Sequence, residues 1–318
     1  MLTMTTLRRL WMTDAPLTAT GLLMLAALAA SLAGFGLDSR IIAGAPAWLK
    51  PAKFAISTAI YALTLAWVFT YLPDWTRTRR VVGWTTAIVL VLEVGIIDVQ
   101  AGRGTTSHFN VGTSLDAVLF AVMGVAIVIQ TLASIAVAVA LWRQRLGDRA
   151  LGWALRLGMT ITIIGASTGG LMTTPTAAQL AQVRATHQMP LSGAHTVGAP
   201  DGGPGLPGVQ WSRAHGDLRV PHFLGLHALQ ALALFAFVVP RRRESETRRV
   251  RLTLVAAGSY LALFVLLLVQ ALRGEALIAP SAVTVVMLGL WALGSVLAAG
   301  IVTRRSAVVP RYSAIVLG

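Results

Sequence analysis

The chain has 318 residues, 56% hydrophobic and only 12% charged, with a mean hydropathy of +0.73. A water-soluble domain carries about 25% charged residues, so a soluble globule is excluded, and so is disorder, because disordered chains are poor in apolar residues. A net charge of +14 would suggest nucleic acid in a soluble protein; in a membrane protein it reads first as cytoplasmic loops, and no nucleic-acid partner is expected.

A bilayer-crossing helix needs about 20 mostly apolar residues. Eight runs qualify, near 16–37, 52–72, 81–99, 113–141, 151–172, 221–239, 252–272 and 281–303. The first begins like a secretory leader after Arg8 and Arg9, but it continues to Leu37 and seven spans follow. An uncleaved helix is therefore expected. The fold class is all-α integral membrane: an eight-helix transmembrane bundle, one domain over 1–318, with one long outward-facing loop at 173–220.

That loop opens with Thr176-Ala-Ala-Gln179, a capping-box pattern that predicts a short helix over 177–188. Its stretch Asp201-Gly-Gly-Pro-Gly-Leu-Pro-Gly208 lacks the Gly-Lys-Ser/Thr of a phosphate loop and reads as irregular turns. The fifth span carries Gly165-Ala-Ser-Thr-Gly169-Gly170, small residues that let another helix approach closely. The two halves of the chain share no motif, so an inverted-repeat transporter gains no support. No Cys is present, which excludes disulfides, thiolate metal sites, iron–sulfur clusters and covalent c-type haem.

With both termini cytoplasmic, the inner segments hold 17 basic residues and the outer segments 8, with Arg156 inside a span. Short basic inner loops fit the positive-inside rule, and the expected location is the bacterial cytoplasmic membrane, with lipids as surroundings. Arg156 is expected to snorkel.

Ionisable groups in or beside spans are costly and point to function. By this topology all six His lie on the outer side, and Glu93 and Asp98 lie in the outer half of the third span. Glu93 and His227 each sit six residues inside their spans, roughly 9 Å deep, so they could pair, share a proton or bind one ion. His222 and His227 are five apart, about 140° around a rigid helix, and cannot both aim at one ion. Asp116 ends Thr113-Ser-Leu-Asp116 and reads as capping; His187 and His195 read as solvated loop residues.

Two stretches are dense in polar groups: Trp211 to Gln230, with His215, Asp217, His222 and His227, and Gln100 to Asn110, with Arg103 and His108. Imidazole with carboxylate is the ligand set of zinc, copper or non-haem iron, and two imidazoles can clamp a b-type haem. The metal candidates are Glu93, His108, His215, Asp217, His222 and His227. Glu93, Asp98 and His227 are the candidate acids and bases, and Lys50, Lys53, Arg103, His108 and His222 the candidate cofactor contacts. No spacing matches a metal signature such as His-Glu-x-x-His.

Of 26 basic residues 24 are Arg, and both Lys fall in Trp48-Leu-Lys50-Pro-Ala-Lys53-Phe54 at the outer mouth of the second span. Lys shifts its pKa more readily than Arg, so contact with a headgroup, an anion or an outer carboxylate is expected, with chance placement as the alternative.

The segments Lys50-Pro-Ala-Lys53-Phe54, Arg103-Gly-Thr-Thr-Ser-His108-Phe-Asn110 and His215-Gly-Asp-Leu-Arg219 through His222-Phe-Leu-Gly-Leu-His227 resemble those of uncharacterised multi-pass inner-membrane proteins of high-GC bacteria. That resemblance implies no function, cofactor or substrate. The leading expectation is a membrane enzyme or redox protein holding a metal or haem at its outer face, acting on a small molecule, quinone or ion. The alternatives are a proton- or cation-coupled transporter or channel, and a sensor or assembly factor.

Overall fold

The computed structural model describes residues 4–239 and 244–305. Arg241, Arg242, Arg243 and Arg311, which count toward the inner charge excess, lie outside the described residues. The chain opens with α1 (Met4–Thr13) and α2 (Ala15–Leu37), separated by Asp14, whose side chain accepts the Leu17 amide at 2.9 Å and starts the second helix. A hairpin of β1 (Ile41–Ile42) and β2 (Ala45–Pro46) leads to α3 (Leu49–Phe69), followed by α4 (Thr76–Gly102), α5 (Ser114–Arg143) and α6 (Arg149–Ser167). The turn α7 (Gly169–Met172) and α8 (Ala177–Thr186) come next, then β3 (Thr196–Val197), which pairs antiparallel with β4 (Gly216–Asp217). The chain continues through α9 (Arg219–Leu226), α10 (Ala228–Val238), α11 (Glu246–Leu272) and α12 (Ala282–Arg305).

Among the described residues, seven helices are long and apolar enough to cross a membrane, and an eighth span results if the bent pair α9–α10 is one. Helices adjacent in sequence pack in turn from α2 to α6; α6 then receives α9, α10 and α11, and α12 lies on α11. The main core gathers Leu65, Phe69, Leu141, Leu155, Met159 and Leu229, all fully buried. Large apolar residues such as Val118, Leu132, Val286 and Val296 cover the outside, the inverse of a soluble surface.

Local signals behave as the sequence implies in several places. Thr176 and Gln179 form a reciprocal capping box at the start of α8. Thr113 caps α5 through the Asp116 amide. Gly165 and Gly225 meet backbone to backbone where α6 crosses α9, as the small-residue pattern implies. Arg156 does not snorkel freely: its guanidinium donates to the Leu141 and Gln144 carbonyls and closes the C-terminus of α5.

The sixth span is not the continuous helix expected over 221–239. It begins at Arg219 and bends by 49° at His227. Such a break frees backbone groups that have no water to pair with at membrane depth. Here side chains take them. Tyr260 donates to the Leu224 carbonyl at 2.6 Å, and Thr162 accepts the Leu229 amide at 3.2 Å while facing the Leu226 carbonyl.

Candidate acid–base site at the capped end

The long loop folds over one end of the bundle. Leu191 bridges to Asn110, and the Ala43–Gly44 turn of the β1–β2 hairpin lies against Gly202. Two carboxylates hold this cap together. Asp201 accepts the backbone amides of His195 and Thr196 and the His195 ring Nδ1 at 2.8 Å. Asp217, 2% exposed, accepts the Ser212 amide and pairs with the Arg219 guanidinium at 2.6 Å.

Beneath the cap, three elements bring an amine, an imidazole and a carboxylate into line. Lys50 sits in the first turn of α3, and its Nζ lies 3.0 Å from His108 Nδ1. His108 comes from the loop between α4 and α5, and its Nε2 faces Glu93 Oε1 of α4 at 3.5 Å. Ser107 Oγ also reaches Nδ1, at 3.1 Å, and Phe54 packs on the imidazole ring. With Nδ1 accepting from Lys50, the ring proton belongs on Nε2, pointing at Glu93. Glu93 is 3% exposed and its second oxygen has no hydrogen-bond partner among the described residues. Lys50 also lies within electrostatic reach of Lys53, Arg219 and Asp201.

The remaining candidates fall in different places. Glu93 does not meet His227: His227 stacks on Phe223 and its Nε2 faces Ser57 Oγ at 3.4 Å. The depth argument matched two residues on different helices, whereas a loop imidazole dips down to take the carboxylate. His222 Nδ1 donates to the Gly165 carbonyl at 2.9 Å. His215 is exposed, and Asp217 is consumed by Arg219 and backbone amides. Arg103 pairs with Asp116, not with Asp98, whose Oδ1 is buried without a partner among the described residues. Lys53 donates to the Val209 carbonyl at 2.9 Å and so fastens the cap. His195, read from sequence as solvated, is a working part of that cap; its adjacency to Asp201 is a loop contact no spacing signals.

Among the described residues no three His, Asp or Glu side chains converge to hold a metal ion. The donor set expected for zinc, copper or iron is therefore dispersed. A haem clamp through His108 does not fit either, because Lys50 and Glu93 occupy both sides of its ring.

Below the site, α3 carries a polar stripe at helical spacing. Ser57 faces His227, and one turn deeper Tyr61 bonds Ser134, with Gln130 donating to Tyr61. The next turns are Leu65 and Val68, both fully buried in the apolar core. The polar stripe thus ends partway through the bundle.

The cap itself responds to pH. Burial, with repulsion from Lys50, His195 and His222, holds His108 well below its ordinary value of 6.5. Burial also lowers His195, against the pull of Asp201. Burial alone would raise Asp201, but hydrogen bonds from His195 and Thr196 keep it well below its ordinary 3.8. The folded imidazoles bind fewer protons than unfolded ones. Their contribution is complete above pH 6.5 and is lost as pH falls through their depressed values; that of Asp201 is lost only below 3.8. Protection factors for the amides over 191–218 should therefore fall on going from pH 7 to pH 5; equal protection at both would contradict this account.

No protein-family model, curated protein or solved structure matches this chain.

Proposed function

We propose that the protein is a multi-pass enzyme of the bacterial cytoplasmic membrane, with both termini inside and the capped end facing outward. In this reading the Lys50–His108–Glu93 set performs acid–base chemistry on a small molecule that reaches the outer leaflet. The observation that carries the reading is His108 held between an amine and a buried carboxylate. This is the arrangement of a proton-accepting group oriented by a third residue.

The orientation rests on the 17-to-8 distribution of basic residues. An enzyme is favoured over a transporter by the polar stripe that stops at Tyr61 and by the break at His227, whose freed backbone groups are taken by Thr162 and Tyr260. A translocation route needs polar groups that continue to the other face. Acid–base chemistry is favoured over metal chemistry by the dispersal of the metal donors.

The test uses the fact that the chain has only two lysines. Purified protein in detergent is acetylated with an N-hydroxysuccinimide ester across a pH series, and both lysines are followed by peptide mass spectrometry. Removing a nearby negative charge disfavours the ammonium. In Glu93→Gln the midpoint for Lys50 should move to lower pH, while that for Lys53 stays in place. If both midpoints are unchanged, the three groups do not act as a set and the reading fails.

A further inference from the structure

We infer that Lys50 is a covalent amine that takes a carbonyl compound, an aldehyde or ketone on an apolar chain, as an imine. The inference rests on the acid–base reading of the same site and names its substrate class.

The first argument is the choice of residue. This chain uses Arg 24 times and Lys twice. Arg cannot give up its proton in a protein, whereas Lys can. A position that needed only positive charge could have been served by the residue used at 24 of the 26 basic positions. Lys50 is instead, among the described residues, the one basic side chain bonded to an imidazole nitrogen.

The second argument is the electrostatics of its position. Lys50 lies in the first turn of the 21-residue helix α3, which has no acidic residue there. The positive end of a helix dipole disfavours a cation. Lys53 and Arg219 add like charges, and Glu93 and Asp201 oppose them. A half-buried lysine crowded by other cations is a setting in which an amine forms Schiff bases.

The third argument is the wall of the site. Phe54 packs on His108 at 5.5 Å between ring centres, and Phe109 packs against both His108 and His195. Lys50 lies 5.9 Å from the Phe54 ring. The amine therefore lies beside aromatic side chains at the start of an apolar helix, which suits a chain with a single polar head.

The step balances without further reactants. The Nζ lone pair adds to the carbonyl carbon, and His108 Nδ1 accepts the proton that nitrogen sheds. The carbonyl oxygen takes up protons and leaves as water, giving imine plus water. His108 is aligned for the transfer, with Glu93 behind it to stabilise the imidazolium.

The experiment treats the unmodified protein with dodecanal and sodium cyanoborohydride, which converts an imine to a stable secondary amine, and compares Lys50 with Lys53 by mass spectrometry. Lys50 should be alkylated about tenfold faster than Lys53. Equal modification, preference for Lys53, or no modification of either overturns the inference. The acetylation series separates the two claims. A shifted Lys50 midpoint in Glu93→Gln without preferential alkylation leaves the acid–base reading standing and removes the imine; an unmoved midpoint removes both.

Discussion

Gly165→Leu should destabilise the bundle by about 3 kcal/mol, at the upper end of the cost of overpacking a filled interior. A side chain there would collide with the Gly225 backbone and approach the Leu226 amide to 2.9 Å. Those atoms are main chain and cannot swing aside. Gly225 is hemmed in reciprocally, with Phe264 at 3.0 Å. The contact joins α6, the hub of the bundle, to the upper arm of the broken span, so separating it also pulls Thr162 and Tyr260 from the backbone groups they satisfy. Gly170→Leu is the matched control, since nothing lies within 4 Å of a side chain there. Thermal unfolding followed by size-exclusion chromatography in detergent should separate the two variants; the same midpoint for both would show that the α6–α9 crossing tolerates a side chain.

Asp217→Ala should cost about 3 kcal/mol, in the range for removing one partner of a buried ion pair. The carboxylate is 1% exposed and is the shared acceptor for the Arg219 guanidinium and for the Ser212 and Arg219 amides. Its loss leaves a half-buried cation and two unpaired donors at the base of the cap. Removing Arg219 as well takes away the stranded charge, so the double variant should be less destabilised than the two single costs added together. Strict additivity in that double-mutant cycle would mean the pair is not coupled. Hydrogen exchange should locate the damage between Thr196 and Arg219, with α2 and α3 unaffected.

The spans were legible in the sequence because length and apolarity are what a bilayer demands of a helix. The break at His227 was not. The residues around it, Phe223 to Ala233, read as one apolar helix, and the groups that stabilise the bend, Thr162 and Tyr260, come from α6 and α11. The site was half legible. Clustering pointed to the end of the bundle where the candidate set gathers, and the isolated lysine pair includes its amine. Pairing by depth chose His227 for Glu93, since a loop that folds back to deliver His108 leaves no periodic trace. Asp217 was read as a metal ligand although a basic residue two positions on was free to claim it.

The order in which the parts are synthesised follows from where they sit in the chain. Amine, imidazole and carboxylate all lie between Lys50 and His108, while the covering segment with its Asp201 and Asp217 ties starts at about residue 191. Some 80 residues separate the proposed set from its cover; at 5–20 residues per second that is about 4 to 16 s of translation. On the reading proposed above, a nascent chain carries the amine, imidazole and carboxylate through that interval without the segment that later covers them.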